Sequence, residues 1–151
     1  MNRSHAILAA FPVLALCGCS GGAPDTAAAT AHPGLAAYVG KYPSDKVDGI
    51  SWEKNRAVID GVKATVEDPA VVAQVLTYTG PPAPIAMVDG KVVAGVCEAR
   101  NCANHNWEIL VDPGSGRTEV CYHDQRKTPG KSVWYSPGGS TEERDGGCSI
   151  S

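Results

Sequence analysis

Residues 85–96 read Ile85-Ala86-Met87-Val88-Asp89-Gly90-Lys91-Val92-Val93-Ala94-Gly95-Val96. Two apolar runs flank Asp89-Gly90, a dipeptide that tolerates the positive φ angles of a two-residue hairpin turn. The stretch predicts a β-hairpin. Three further runs follow it. Trp107-Glu108-Ile109-Leu110-Val111 ends at Asp112-Pro113-Gly114-Ser115-Gly116, Arg117-Thr118-Glu119-Val120-Cys121-Tyr122 comes next, and Lys131-Ser132-Val133-Trp134-Tyr135 is expected as the last strand. Strands joined by short turns make an antiparallel meander. Residues 136–151 are rich in glycine and charge and are expected to be loose unless Cys148 ties them down.

Upstream of the hairpin the apolar period changes from two to about three and a half. In residues 53–66, Val58, Ile59, Val62 and Val66 share one face of a helix. Gly61 weakens that helix by up to about 1 kcal/mol relative to alanine. A second helix is expected to start at Asp68-Pro69, an N-cap followed by proline at the first helical position. Val71, Val72, Val75 and Leu76 form its buried stripe, and Gly80-Pro81-Pro82 stops it. Residues 35–39 are expected to form a short helical turn before a loop at residues 41–46. Helices grouped ahead of strands predict an α+β domain, with N-terminal helices packed on one face of the antiparallel β-meander.

A length of 151 residues suits one domain, and 43% apolar with 19% charged residues suffices for a packed core. The net charge of −3 disfavours a general nucleic-acid binder, which should be basic. No apolar run reaches the roughly 18 residues that span a bilayer.

Residues 1–18 read as an export signal. Arg3 supplies the positive start, and Ala6-Ile7-Leu8-Ala9-Ala10-Phe11-Pro12-Val13-Leu14-Ala15-Leu16 supplies an apolar stretch of secretory length. Leu16-Cys17-Gly18-Cys19 resembles a bacterial lipobox, with an aliphatic residue three before Cys19 and a small residue just before it. Cleavage before Cys19, with acylation of its thiol and new amine, would anchor the chain firmly, because several acyl chains hold where one binds only marginally. An ordinary signal cut after Ala23 is the alternative. By resemblance to Gram-negative lipoproteins, Ser20 after the cysteine implies the periplasmic face of the outer membrane. Residues 19–33 are Gly-, Ala-, Pro- and Thr-rich and are expected to be a flexible tether, leaving residues 34–151 as one domain. Loss of Arg3 with the signal takes Lys+Arg from 13 to 12 against 16 Asp+Glu, a net charge of −4.

Four cysteines remain after processing, and they allow three pairings. Cys97 and Cys102 lie at facing ends of adjacent expected strands, so the preferred pairing joins them and leaves Cys121 to Cys148. The first closes a six-residue ring, Cys97-Glu98-Ala99-Arg100-Asn101-Cys102. Such a ring adds modest stability but fixes a shape, and a rigid polar loop loses little entropy on entering a partner's cleft.

This ring resembles the inhibitory loop of the Ivy family, the inhibitors of vertebrate lysozyme, which carry Cys-Lys-Pro-His-Asx-Cys on a strand-to-strand connection of an α+β domain. Both cysteines, their spacing, the Asx at Asn101, the apolar strand after the loop, the export signal and the order of helices before strands agree. The family lysine falls on Glu98, the proline on Ala99 and the histidine on Arg100. The resemblance implies a lysozyme-type glycosidase as partner, with Glu98, Ala99, Arg100 and Asn101 as the loop that enters its cleft. A guanidinium at Arg100 suits paired carboxylates through its planar fork. Glu98 and Asn101 are expected to hydrogen-bond the cleft walls. Trp52, Trp107 and Trp134 are expected as core or half-buried residues, with Trp107, nearest to the loop, the alternative choice for a flanking anchor.

Other readings are weaker. A non-inhibitory structural or adaptor lipoprotein of the envelope would share the fold. Cys97, Cys102, His105 and His123 would make a zinc set only if the thiols were reduced, and hydrogen bonding near the loop base is the preferred role for both histidines. Ser51-Trp52-Glu53-Lys54 matches the nucleophile motif Ser-x-x-Lys, but its partner motifs are absent and Ser51 reads as a helix-start residue. No other catalytic, phosphate-binding or metalloprotease motif occurs, so neither catalysis nor a cofactor is expected.

Overall fold

The computed structural model describes residues 33–149. The signal, the expected lipidation site at Cys19 and the tether up to residue 32 lie outside the described residues. Among the described residues no helix is long and apolar enough to cross a membrane.

The chain opens with a 3-10 turn, Pro33–Tyr38. A small ribbon follows, β1 (Lys46–Val47) against β2 (Ile50–Ser51), then a second 3-10 turn, Trp52–Lys54. The two helices are α1 (Arg56–Thr65) and α2 (Pro69–Val75). Six strands complete the domain: β3 (Ala86–Val88), β4 (Lys91–Cys97), β5 (His105–Val111), β6 (Thr118–Asp124), β7 (Lys131–Ser136) and β8 (Ser140–Asp145). They lie in the order β3-β4-β5-β6-β7-β8, each antiparallel to the next. The protein is an α+β domain built on an antiparallel meander.

The hairpin that opens the sheet turns at Asp89 (φ 48°) and Gly90 (φ 78°), with Val88 opposite Lys91. Two successive left-handed residues give the turn a twist that matches the strands it joins. Alternation then sorts the sheet into two faces. Val92, Ala94 and Val96 of β4 pair with Val111, Ile109 and Trp107 of β5, and all six are buried with Val120 and Tyr122 of β6. Val58 and Val62 of α1 and Val71 and Val75 of α2 join the same cluster, so the helices cover this face. Thr65 at the end of α1 donates its hydroxyl to the Thr118 carbonyl at the start of β6, 3.0 Å away, which fixes the helix to the sheet.

The helix ends follow from local chemistry. Asn55 caps α1, its Oδ1 accepting from the Ala57 N–H at 3.0 Å. That cap places the start at Arg56 and not at Glu53; Ser51 precedes the 3-10 turn instead and makes no side-chain cap. Asp68 caps α2 by accepting from Ala70 and Val71 N–H, with Pro69 at the first turn as expected. α2 ends at Val75, ahead of Gly80-Pro81-Pro82, and Thr77 turns its hydroxyl back onto the Ala73 carbonyl at 2.8 Å.

Cys148 ties the C-terminal segment down as the conditional expectation required, but Lys131–Ser136 is not the last strand, because Ser140–Asp145 forms β8, every residue of which is exposed. Exposure on both faces hides the period-two signal, and pairing along β7 supplies the order. Asp48-Gly49 is a hairpin turn like Asp89-Gly90, and the ribbon it makes takes in Lys46, the last residue of the expected 41–46 loop.

Both preferred disulfides are present. Cys97 and Cys102 have Cα atoms 4.8 Å apart, and Cys121 and Cys148 have theirs 5.8 Å apart. The second bond holds the C-terminal segment on the sheet face opposite the helices, where the Cys148 N–H donates to Asn106 Oδ1 at 2.9 Å.

Gly61 faces Thr118, and a Cβ there would collide with the threonine hydroxyl and sit 3.1 Å from its Cβ. Thr118 is itself buried. Gly61→Ala is therefore expected to destabilise the fold by about 1–3 kcal/mol through overpacking, reversing the gain of up to about 1 kcal/mol that helix propensity alone predicts; urea unfolding measures the sign. Replacing Cys121 and Cys148 together by alanine opens a 27-residue separation and should cost about 3.5 kcal/mol on the chain-entropy model, read as a lowered unfolding midpoint.

Candidate functional site

The disulfide ring lies between β4 and β5. The last pair of the two strands is Cys97 opposite Asn106, and the Glu98 N–H donates to the His105 carbonyl at 3.0 Å as the strands part. The chain then makes two linked turns. Asn101 N–H returns to the Glu98 carbonyl at 2.9 Å, and both Asn104 and His105 N–H return to the Asn101 carbonyl at 3.0 and 2.9 Å. Residues 98–100 are exposed at the apex, while Asn101 and Cys102 are half-buried.

Arg100 occupies the left-handed region, φ 66°. Among the described residues only Asp48, Asp89 and Arg100 do so without being glycine. The two aspartates sit in hairpin turns that favour them, but a long side chain in this region costs about 1–2 kcal/mol. The ring and its turns hold that geometry. Arg100 makes no hydrogen bond or ion pair with any described residue, so its guanidinium is free at the loop apex.

Glu98 and Asn101 are engaged within the loop rather than presented outward. Glu98 Oε2 accepts from Asn101 Nδ2 at 2.7 Å and meets His105 Nδ1 at 3.0 Å. The far ring nitrogen, His105 Nε2, is 3.1 Å from the Tyr122 hydroxyl. Burial pushes the Tyr122 phenol up to about 12, so it remains an O–H donor at ordinary pH. With its proton on Nδ1, the ring would donate to the Glu98 carboxylate and accept from that hydroxyl at Nε2. The Asn101 and His105 hydrogen bonds hold the Glu98 carboxyl below its ordinary value. Hydrogen bonding at the loop base is thus the role of His105. His123 bonds elsewhere, through Nδ1 to the Lys131 carbonyl at 2.7 Å.

Trp107 is not a surface anchor. It is 2% exposed and belongs to the core, because it falls on the helix-covered side of β5. Proximity to the loop along the chain concealed that alternation. Trp52 is fully buried, and half-buried Trp134 donates its N–H to Ser132 Oγ at 3.2 Å. The zinc set does not assemble, since both of its cysteines are in the ring disulfide.

Asn106 is the residue that sequence reasoning passed over. Buried at the foot of the ring, it donates Nδ2 to the Cys102 carbonyl at 2.6 Å and accepts from the Cys148 N–H. One amide thereby couples the ring to the segment held by the second disulfide. The turn after β6 supplies another brace, Gln125 N–H to the Asn104 carbonyl at 2.8 Å. In that turn Arg126 grips Asp124 through Nε at 3.1 Å and an amino group at 3.4 Å. Burial pushes the Asp124 carboxyl up, but the Arg126 side chain and backbone N–H more than offset it and the net shift is downward.

Beside the loop lies a cleft of about 470 Å3. Gln74, Thr77, Thr79 and Gly80 form one wall, Glu98 and Ala99 the other, with His105, Trp107 and Arg126 completing it. Gly80 is pressed so closely on the Cys97 carbonyl that a Cβ would collide with it.

The lowered Glu98 value fixes the sign of a pH effect. The bracing is present above the ordinary glutamate value and is lost as pH falls below it through the lowered folded value. The protection factors of the Asn101 and His105 amides should therefore hold down to the ordinary glutamate range and fall below it, and Glu98→Gln should remove the transition. Compared with family models, curated proteins and solved structures, the chain matches none of them.

Proposed function

We propose that this chain is an Ivy-like inhibitor that binds a lysozyme or related glycan-cleaving enzyme and blocks its active-site groove with the 97–102 ring. The observation that carries the reading is the division of labour within that ring. Glu98 Oε2 accepts from Asn101 and lies 3.0 Å from His105 Nδ1, while Arg100 has no partner among the described residues, at an apex whose backbone is already fixed. A preformed loop of this kind gives up little conformational freedom on binding.

The chemistry suits a groove that hydrolyses glycosidic bonds with two carboxylates. Arg100 offers several N–H donors in one plane, the arrangement that pairs best with carboxylate oxygens. It is charged at every working pH, so binding through it needs no protonation step. The departure at Glu98, a negative charge facing an acidic groove, is moderated because its carboxylate is held by two donors of its own loop. Lipid attachment at Cys19 would place the domain at the periplasmic face of the outer membrane, between peptidoglycan and incoming enzymes.

The full chain is expected to inhibit at least one member of a lysozyme panel at one-to-one stoichiometry. Arg100→Ala should weaken that complex by about 2–5 kcal/mol, the range for truncating a buried interfacial charge pair. Unchanged affinity for the variant, measured by calorimetric titration, would remove Arg100 from the interface.

A further inference from the structure

We infer that the cleft beside the ring is a second contact of the same interface, seating a lip of the enzyme's groove that carries carboxylates or outward-facing carbonyls. This rests on the inhibitor reading above and extends it from the loop apex to the loop flank.

The first argument is geometric. Glu98 and Ala99 belong both to the ring and to the wall of the cleft. A groove deep enough to receive the ring must therefore bring one of its lips down along that wall. The opposite wall cannot retreat, because Gly80 is packed directly on the Cys97 carbonyl at the base of the ring. A lip that follows the loop inward meets Gln74, Thr79 and Arg126.

The second argument is chemical. Gln74 and Thr79 have side chains with no hydrogen-bond partner among the described residues, so an entering segment finds an amide and a hydroxyl unspent. Arg126 is 72% exposed although it grips Asp124, which is 4% exposed. Two of its nitrogens hold that aspartate, and the remaining amino group is uncommitted among the described residues. Lys127 lies in the same turn, its ammonium 5.5 Å from the Tyr122 ring centroid. Among the described residues the charges near this end are Arg100, Arg126 and Lys127 beside exposed Glu98 and Asp68, with buried Asp124 paired to Arg126. What the cleft offers an entering segment is the uncommitted Arg126 amino group, a charged donor that pairs well with a carboxylate or carbonyl oxygen.

The same features argue against a sugar in the cleft. Trp107 is its one large aromatic residue, and at 2% exposure it offers no ring face for stacking. The uncommitted Arg126 amino group donates only, which fits carboxylate and carbonyl oxygens.

Thr79→Trp fills the cleft from an exposed position on the wall opposite the ring and alters no residue of the ring or its braces. Arg126→Gln removes the charge while keeping donors for Asp124. Both are titrated in the full chain against the lysozyme panel, beside wild type and Arg100→Ala. Thr79→Trp should weaken binding at least tenfold with an unaltered thermal midpoint, and Arg126→Gln should slow association severalfold and flatten its dependence on salt. Independently, the Thr79 and Gly80 backbone amides of wild type should shift in NMR spectra when the enzyme is added. Wild-type affinity in Thr79→Trp with unshifted amides, while Arg100→Ala is impaired, overturns the second contact and leaves the inhibitor reading standing. Failure of wild type to bind any enzyme of the panel overturns both. Shifts of those amides on adding a chitooligosaccharide without enzyme would make the cleft a glycan site and overturn the proposal.

Discussion

The register between β4 and β5 is the constraint on which the rest of the structure depends. Val92 opposite Val111, and each pair up to Cys97 opposite Asn106, puts Trp107, Ile109 and Val111 under the helices. It also brings Cys97 to the place from which one short loop can return Cys102 to within bonding reach. A slip of one residue would turn the apolar side of β5 outward and carry Asn106 into the core. The burial of the β5 side chains and the closure of the ring therefore enforce the same alignment. The Asp89-Gly90 turn sets its beginning, since the two-residue connection fixes how β4 leaves β3.

From that register the loop inherits its rigidity in layers. The disulfide closes the ring, the Glu98–Asn101–His105 contacts fill it, and Tyr122 orients the histidine from below. Asn106 then ties the ring to Cys148 and so to the far end of the chain. The His105, Tyr122 and Asn106 contacts lie at the edge of an apolar core, where water competes less than on an open surface. The consequence is that one arginine is displayed in a backbone conformation it would not choose in isolation. Strain at such a residue persists only where its surroundings over-determine it, and here four separate elements do so.

The helix face of the sheet and the loop end carry different obligations. Gly61 and Gly80 show this on a small scale. Gly61 lets α1 close on Thr118, a requirement of packing, whereas Gly80 lets the 77–80 segment reach the base of the ring and shapes the cleft. Both are read from sequence as helix-weakening or helix-stopping residues. Neither role is local. A glycine that answers to a residue far along the chain carries no signature of its own, because its neighbour is supplied by the fold.

The sequence alone determined the α+β class, the capped start of α2, the hairpin at Asp89-Gly90 and the order of strands β3 to β7, and it left three disulfide pairings open while favouring the one the structure contains. These are consequences of nearest-neighbour chemistry and periodicity, which operate within a few residues. The tertiary structure alone decided the rest. It made β8 out of an exposed, charged segment because β7 offered an unpaired edge, and it drew Trp107 inward because its alternation on β5 outweighs its closeness to the loop. It also turned Glu98 and Asn101 toward His105, left Arg100 by itself, and gathered Gln74, Thr79 and Arg126 around one cleft. Those positions come from three separate parts of the chain, and only the packing of α2, the ring and the β6–β7 turn against one another brings them together.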